Sequence, residues 1–448
     1  QIRFNKKMNH IYADDVSYSY EKLERDISKN LSQLNKKDKG LYVLEPNPTY
    51  DFIVKYLSLQ RSKNSIFLIE KIEDLKIEIL SQLKSVFNFI VLDNKKKIFS
   101  DLKREKTLDD VEILLSSGTS LEKKIIVIKK ETIWNNVDRI NEQFKVDKSV
   151  SELVVMPLHH SFGIMRLRCG LKRKSNVYLS KHLLDPRMVK KCFSNENKVF
   201  LGAVSKAIEL FLSYFGRYIE KNNNIFFYLE SGSMEISKSI LDSIKKIFAN
   251  YLHFHHYGST ESSRSFFSGT NDLNKNIRNI GQISKGLEYK IENNELLIKG
   301  NSLFYGYLNE GEVTGKLFNE NLITKDGYFK TGDYVKLDGA MLLFESRKKD
   351  IINLNGLKYS PLILENEILK NIQQLIDVVV VQYPGDHDYF IVHELNESIK
   401  SNEEIILRIN NISKKIFTIK PVKIINEKIV KTSSGKKIRK YELYSVRF

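Results

Sequence analysis

Only two of the 448 residues are cysteine, Cys169 and Cys192. So few thiols exclude a disulfide framework and a cysteine-built zinc site. Proline occurs seven times and glycine 21 times, and no stretch concentrates them into a linker or a low-complexity segment. No apolar run approaches the roughly 20 residues a membrane-spanning helix needs. The opening "QIRFNKKMNH" carries charge with no apolar stretch behind it, which argues against a secretory leader. Internal repeats, an aromatic RNA-binding signature and a helix-turn-helix pattern are all missing. These absences together predict a soluble cytoplasmic protein with no membrane and no nucleic-acid partner.

What remains is a chain able to fold: 42% of its residues are hydrophobic, and its length suits two or three domains. Net charge is +17, but the lysines are scattered, and heavy use of Lys, Asn and Ile fits an AT-rich genome better than a nucleic-acid surface. Residues 16–35 read as a short strand followed by an amphipathic helix with Leu23, Ile27 and Leu31 at spacing four. Apolar runs ("GLYVLE", "SIFLIE", "NFIVLD", "ELVVMPL", "SNVYLS", "KVFLGAV", "NIFFYLES") then alternate with helical patterns, as in a parallel sheet covered on both faces. The texture changes near residue 280, where "LEYKIENNELLIKG" reads as two strands around an Asn-Asn turn. The last hundred residues read as helix, two strands and helix. The predicted fold class is α/β: a large N-terminal domain of layered, mostly parallel sheets with helices, 1–346, plus a small α+β C-terminal domain, 347–448.

Several short stretches carry chemistry. "LLSSGTSLEKKI", 114–125, clusters hydroxyls around a glycine ahead of lysines, as a phosphate-holding loop requires, yet its spacing is not that of a P-loop. "HHYGSTESSR", 255–264, offers Tyr257 to stack on a purine, Gly258 for close backbone approach, Thr260 for a phosphate and Glu261 for a hard cation. "DGYFKTGDYVKLDG" sets Asp333 after Gly332, where a carboxylate can accept ribose hydroxyls. "ESRKKDIINLNG" adds Arg347, and "KTSSGKKIRK", 431–440, a lysine beside a glycine. Singly, each also suits a plain turn, hairpin or solvated tail.

In this order, from roughly residue 16 to 448, they resemble the adenylate-forming superfamily of acyl-CoA synthetases, luciferase-type ligases and peptide-synthetase adenylation domains. The family's phosphate loop usually reads Ser-Gly-Thr-Thr-Gly-x-Pro-Lys. Ser117, Gly118, Thr119 and Lys124 match, Ser120 is a mild change, and Leu121 and Lys123 replace a glycine and a proline. "MPLHHSFG" resembles the motif whose histidine, here His160, gates the acyl pocket. "LESGSMEI" resembles the adenine-side loop, with Gly232, Ser233 and Met234 walling the base. "GNSLFYGYLN" and "YSPLILENEI" resemble two further family segments, the latter with Ile363 in place of one carboxylate.

The resemblance implies an AMP-forming acid–thiol ligase: ATP and Mg²⁺ convert a small acyl or aryl acid to acyl-AMP, and a thiol, on coenzyme A or on a carrier protein's phosphopantetheine arm acting in trans, then displaces AMP. It implies catalytic roles for Lys436, His160 and Thr260. Nucleotide contacts fall to Ser116, Ser117, Gly118, Thr119, Ser120, Lys124, Gly232, Ser233, Met234, Tyr257, Gly258, Ser259, Asp333 and Arg347. Glu261 is the expected metal ligand and Lys349 the hinge of the small domain, while Lys437 stands as an alternative to Lys436. Phe162, Met165, Arg166, His255, Phe266 and Phe267 are the acid-pocket candidates. Arg166 and Arg264 are expected at the surface, with pairing to a second substrate carboxylate as the other reading. No aspartate stands near His159–His160 to pair an α-amino group, so an amino-acid adenylating enzyme ranks below an acyl or aryl ligase. A non-catalytic nucleotide binder is the remaining alternative.

Overall fold

The computed structural model describes residues 8–34, 39–92, 96–99, 108–116, 124–233, 235–309, 312–313, 322–383, 388–396, 403–431 and 437–445. Ser117–Ser120, Leu121, Lys123, Met234 and Lys436 lie outside the described residues. Two compact units emerge, the first built from 1–116, 122–289 and 298–329, the second chiefly from 290–297 and 330–448.

Two large sheets form the first unit. One has nine strands in the order Gln282–Ile283, Phe266–Gly269, Asn250–Tyr257, Phe226–Gly232, Lys198–Gly202, Ser151–Val154, Val177–Leu179, His10–Ala13, Val16–Ser19. Its strands from Asn250–Tyr257 through His10–Ala13 run parallel, joined by the expected helical crossovers. In the other sheet, of eight strands, Leu41–Leu44, Ser65–Leu68, Phe89–Leu92 and Val111–Leu115 are parallel. Val111–Leu115 then turns back antiparallel into Ile125–Lys129.

Each apolar run read from the sequence became a strand because helices cover both faces and no polar alternation is needed. The helix starts are also written locally. Ser19 accepts from the Lys22 amide, Thr49 from Phe52, Ser237 from Ile240, and Asp185 from Arg187 and Met188, with Pro186 following it. Such caps satisfy amides that the first helical turn leaves without partners.

In the second unit, the strand Phe329–Asp338 enters the unit at Lys330 and pairs antiparallel with Met341–Arg347. A three-stranded sheet, Leu375–Gln382, Tyr389–Leu395 and Lys423–Asn426, carries the helices Pro361–Asn371 and Glu403–Phe417. Its core gathers Leu364, Ile368, Val378, Val380, Ile391, Ile409 and Phe417. The Asn-Asn turn between the strands Leu287–Glu292 and Glu295–Gly300 is formed as read: Asn293 and Asn294 have φ of +50° and +64°. Asparagine tolerates that left-handed region better than most residues, and two in succession suit a two-residue hairpin turn. Among the described residues no helix is long and apolar enough to cross a membrane.

Candidate active site

Of the expected phosphate loop, Ser116 and Lys124 are described, each next to one of two antiparallel strands. Its flanks are the strands Val111–Leu115 and Ile125–Lys129, with Leu115 opposite Ile125. Ser116 N donates to Lys124 O at 2.9 Å, and Lys124 N donates to Ser116 Oγ at 3.0 Å. These two expected residues therefore pin together the ends of the segment between them. A third strand, Gly306–Asn309, lies antiparallel to Ile125–Lys129, with Tyr307 opposite Ile126. Lys124 Nζ sits 4.6 Å from the centroid of the Tyr307 ring.

Tyr257 ends the strand Asn250–Tyr257, at the carboxyl edge of the parallel sheet where α/β folds place their ligands. The turn after it is tight: a Cβ on Gly258 would stand 1.6 Å from Ser263 O, so only glycine fits. Ser265 N donates to Tyr257 O at 2.9 Å and closes that turn. Tyr257, Gly258, Ser259, Thr260 and Glu261 are all half-buried, accessible to a ligand yet held. Tyr307 Oη donates to Glu261 Oε1 at 2.6 Å, and Phe304 N donates to Glu261 O at 2.7 Å. The structure thus brings Lys124 and Glu261, far apart in sequence, to one tyrosine. That tyrosine lies in the segment "GNSLFYGYLN" but was not among the expected site residues.

Gly232 ends the neighbouring parallel strand, opposite His256. A Cβ there would lie 2.3 Å from the His256 imidazole. Ser233 follows at φ +67° and is exposed. His160 occupies the N-cap position of the helix Ser161–Arg173 without capping it by its side chain. Its Nε2 lies 3.1 Å from His159 Nε2, so one ring donates and the other accepts. Gly163 packs the helix start against the chain before it, where a Cβ would meet Pro157 O at 2.2 Å.

The acid-pocket candidates divide. Phe162 packs 5.0 Å from the His256 ring, one residue from Tyr257. Met165 and Phe267 belong to an apolar core cluster, and Phe266 is fully buried. Arg166 and Arg264, expected at the surface, are 1% and 3% exposed. Arg166 holds Glu152 through two bonds of 2.7 Å and Glu230 at 3.1 Å, while Arg264 Nε donates to Glu230 at 2.8 Å. Burial raises the Glu230 carboxyl, but the charges of Arg264, His256 and Arg166 outweigh it and hold the group far below the usual carboxylate range. The surface reading fails because each guanidinium has a buried carboxylate partner, without which burial would be prohibitive. Both arginines thus hold the protein's own buried carboxylates, Glu152 and Glu230.

His255 Nδ1 lies 2.8 Å from Ser231 Oγ, which also lies 2.8 Å from His253 Nε2. Burial pushes the His253 imidazole down to about 4.

Residues 58–308, more than half the chain, match the family model of the AMP-binding enzyme. The chain belongs to this family. Among curated relatives it is 23% identical over 423 residues to 4-coumarate–CoA ligase-like 8 of Arabidopsis thaliana, covering 89% of this chain and 74% of that one. It is 24% identical to 2-succinylbenzoate–CoA ligase of Staphylococcus aureus (strain MRSA252), over 62% of this chain and 56% of the relative. With malonate–CoA ligase of Arabidopsis thaliana the identity is 28% over 59% and 47% of the two chains. The matches to these last two ligases thus span about half of their length. Among solved structures, the o-succinylbenzoate CoA synthetase (MenE) of Bacillus subtilis with its acyl-adenylate OSB-AMP superposes at a TM-score of 0.78, with 15% identity and 99% and 96% coverage. ATP-bound MatB from Rhodopseudomonas palustris gives 0.77, also at 15% identity, with 98% and 96% coverage. Both show a shared fold.

In this AMP-binding enzyme the second unit holds the other expected nucleotide residues. Asp333 and Arg347 are register partners, with Arg347 Nε 3.6 Å from Asp333 Oδ1. Gly332, at φ +72°, donates its amide to Glu295 Oε1, and Lys348 Nζ binds Glu295 Oε2 at 3.1 Å. Lys349 lies in the single turn Lys348–Asp350. Lys437, the alternative to Lys436, is committed elsewhere. Its Nζ donates to Val378 O at 2.6 Å and pairs with Asp377 Oδ1 at 2.8 Å and Glu365 Oε2 at 3.2 Å. Lys431 reaches Asp377 Oδ2, and an isolated bridge joins Lys431 to Lys437. Glu365, retained in the segment where Ile363 departs from the family pattern, is fully buried between Lys437 and Arg439.

The donor set fits magnesium. Among the described residues no three His, Cys, Asp or Glu side chains gather to form a cage. One carboxylate, Glu261, offers Oε2 while Oε1 takes the Tyr307 hydrogen bond. Mg²⁺ is commonly held this way, by one carboxylate together with the phosphates of its nucleotide.

Proposed function

We propose that the chain activates a small acyl or aryl acid with ATP and passes the acyl group to a thiol. The observation that carries this reading is the meeting of Lys124 and Glu261 at Tyr307: the lysine expected of the phosphate loop and the carboxylate expected to bind the metal contact one side chain. In the first step a carboxylate oxygen of the acid bonds to the α-phosphorus, and the bond to the bridging oxygen breaks, releasing pyrophosphate. In the second, the thiol sulfur bonds to the acyl carbon while the carbon–oxygen bond to AMP breaks. The thiol proton goes to solvent. Phosphoryl chemistry of this kind needs alignment and charge neutralisation more than covalent help.

In this reading Tyr257 stacks on adenine, and Gly232 and Ser233 border it. Thr260, Lys124 and the hydroxyls of 116–120 bind phosphate. Asp333 and Arg347 receive the ribose, and Glu261 holds Mg²⁺, which neutralises phosphate charge. Lys436 bridges the acid and the α-phosphate, while Lys437 anchors its neighbour. His160 borders the acid, and Lys349 is the hinge between the two half-reactions. The absence of an aspartate beside His159–His160 supports an acyl or aryl acid over an amino acid. Coenzyme A or a carrier arm serves as the thiol, and cytoplasmic pools supply it.

The test is product analysis with ATP, Mg²⁺, coenzyme A and a panel of short acyl, aryl and dicarboxylic acids. One acid should yield an acyl-CoA with one AMP per thioester. Formation of ADP instead of AMP, or AMP release independent of any acid, would overturn the reading.

A further inference from the structure

We infer that Tyr307 is a positioning residue that couples the metal ligand to the phosphate loop, orienting Glu261 through its hydroxyl and Lys124 through its ring. The inference rests on the reading of Glu261 as the magnesium ligand.

Tyr307 is only 8% exposed. Its ring is wedged against Phe304, at a centroid distance of 5.0 Å, and its strand is hydrogen-bonded to Ile125–Lys129. A ring so held cannot swing to follow a mobile partner; the partners must come to it. The 2.6 Å hydrogen bond to Glu261 is charge-assisted, and such bonds are both shorter and stronger than neutral ones.

The backbone of the same segment completes the clip. Phe304 N donates to Glu261 O, and Tyr305 N donates to Val127 O on the hairpin strand, each at 2.7 Å. Glu261 is therefore fixed at main chain and side chain by one short stretch, with Oε1 engaged and Oε2 left to face a cation. Across the ring, the Lys124 ammonium at 4.6 Å gains from the π face. Its position at the loop's exit is thereby tied to the position of the carboxylate.

Phenylalanine at 307 keeps the ring and removes only the hydroxyl, so the two functions separate. In full-length enzyme with ATP, Mn²⁺ serves as the probe and free Mn²⁺ is counted by electron paramagnetic resonance. Tyr307→Phe should weaken Mn²⁺ binding about tenfold, the loss of one hydrogen bond to a charged group. In parallel, the Mg²⁺ concentration giving half-maximal pyrophosphate exchange should rise, while the KM for ATP at saturating Mg²⁺ holds. Tyr307→Leu should show the same metal shift plus a raised KM for ATP, and Lys124→Met only the raised KM. Wild-type Mn²⁺ affinity in Tyr307→Phe would overturn the inference, provided Glu261→Gln has lost that binding. If Glu261→Gln also binds Mn²⁺ normally, the metal reading of Glu261 itself falls. A circular-dichroism melt of Tyr307→Phe at the wild-type temperature separates a positioning effect from a folding defect.

Discussion

Asp333 and Arg347 face each other in register across two antiparallel strands, with Arg347 Nε 3.6 Å from Asp333 Oδ1. Asp333→Ala should weaken ATP binding by about 1–3 kcal/mol, the usual loss when hydrogen bonds to a charged group disappear. Isothermal titration with ATP checks it, and an unchanged dissociation constant places the ribose elsewhere.

Lys437 and its neighbour should behave oppositely. Lys437→Met leaves Glu365 and Asp377 without a cation that lies within 3.2 Å of both. Urea denaturation should show a loss of about 1.5–3 kcal/mol, that of hydrogen bonds to charged groups, and no more, because Arg439 still pairs with Glu365 and Lys431 with Asp377. The fraction that remains folded should still exchange pyrophosphate. Normal stability with abolished exchange would reverse the assignment of the two lysines.

Gly232 has a structural duty distinct from its proposed place beside the base. Its added Cβ would overlap the His256 ring at 2.3 Å. Gly232→Ala should therefore cost about 1–3 kcal/mol, as overpacking does. The double change with His256→Ala should cost less than the sum of the two single changes. Simple additivity in that cycle would show that the ring is not what the glycine accommodates.

Acid should destabilise the sheet through His253. Its imidazole titrates near 4 when folded against about 6.5 when unfolded. A depressed folded value means that the unfolded chain takes up the proton first. Stability is therefore fully present above about pH 6.5 and is lost as pH falls toward 4. From pH 7 to pH 5 this group alone should remove about 2 kcal/mol. His253→Gln should lose correspondingly less over the same interval in urea titrations. Parallel losses in both proteins would remove His253 from the account.

The sequence was a good guide where chemistry or backbone geometry is local. The apolar runs became strands, the Asn293–Asn294 turn has the backbone its residues favour, and Gly258 sits where no side chain fits. It was a poor guide to long-range pairing. Arg166 and Arg264 look like surface residues because periodicity marks apolar faces, while Glu230, which both contact, lies 64 and 34 positions away. Tyr307 escaped notice for the same reason. Its segment matched a family pattern, but its value lies in Glu261, 46 residues earlier, and in Lys124 on another strand. The strand Asn250–Tyr257 was also missed as an element, since "NYLHFHHY" mixes histidines into what is a sheet strand bonded on both sides.

The central claim, acid activation by adenylate formation, is tested most directly by isotope exchange between pyrophosphate and ATP across a panel of acids. The account predicts exchange only when the right acid is added, and its loss in Lys436→Ala, because the cation aligning carboxylate and α-phosphate is gone. Exchange that proceeds without acid, or that survives undiminished in Lys436→Ala, would contradict it.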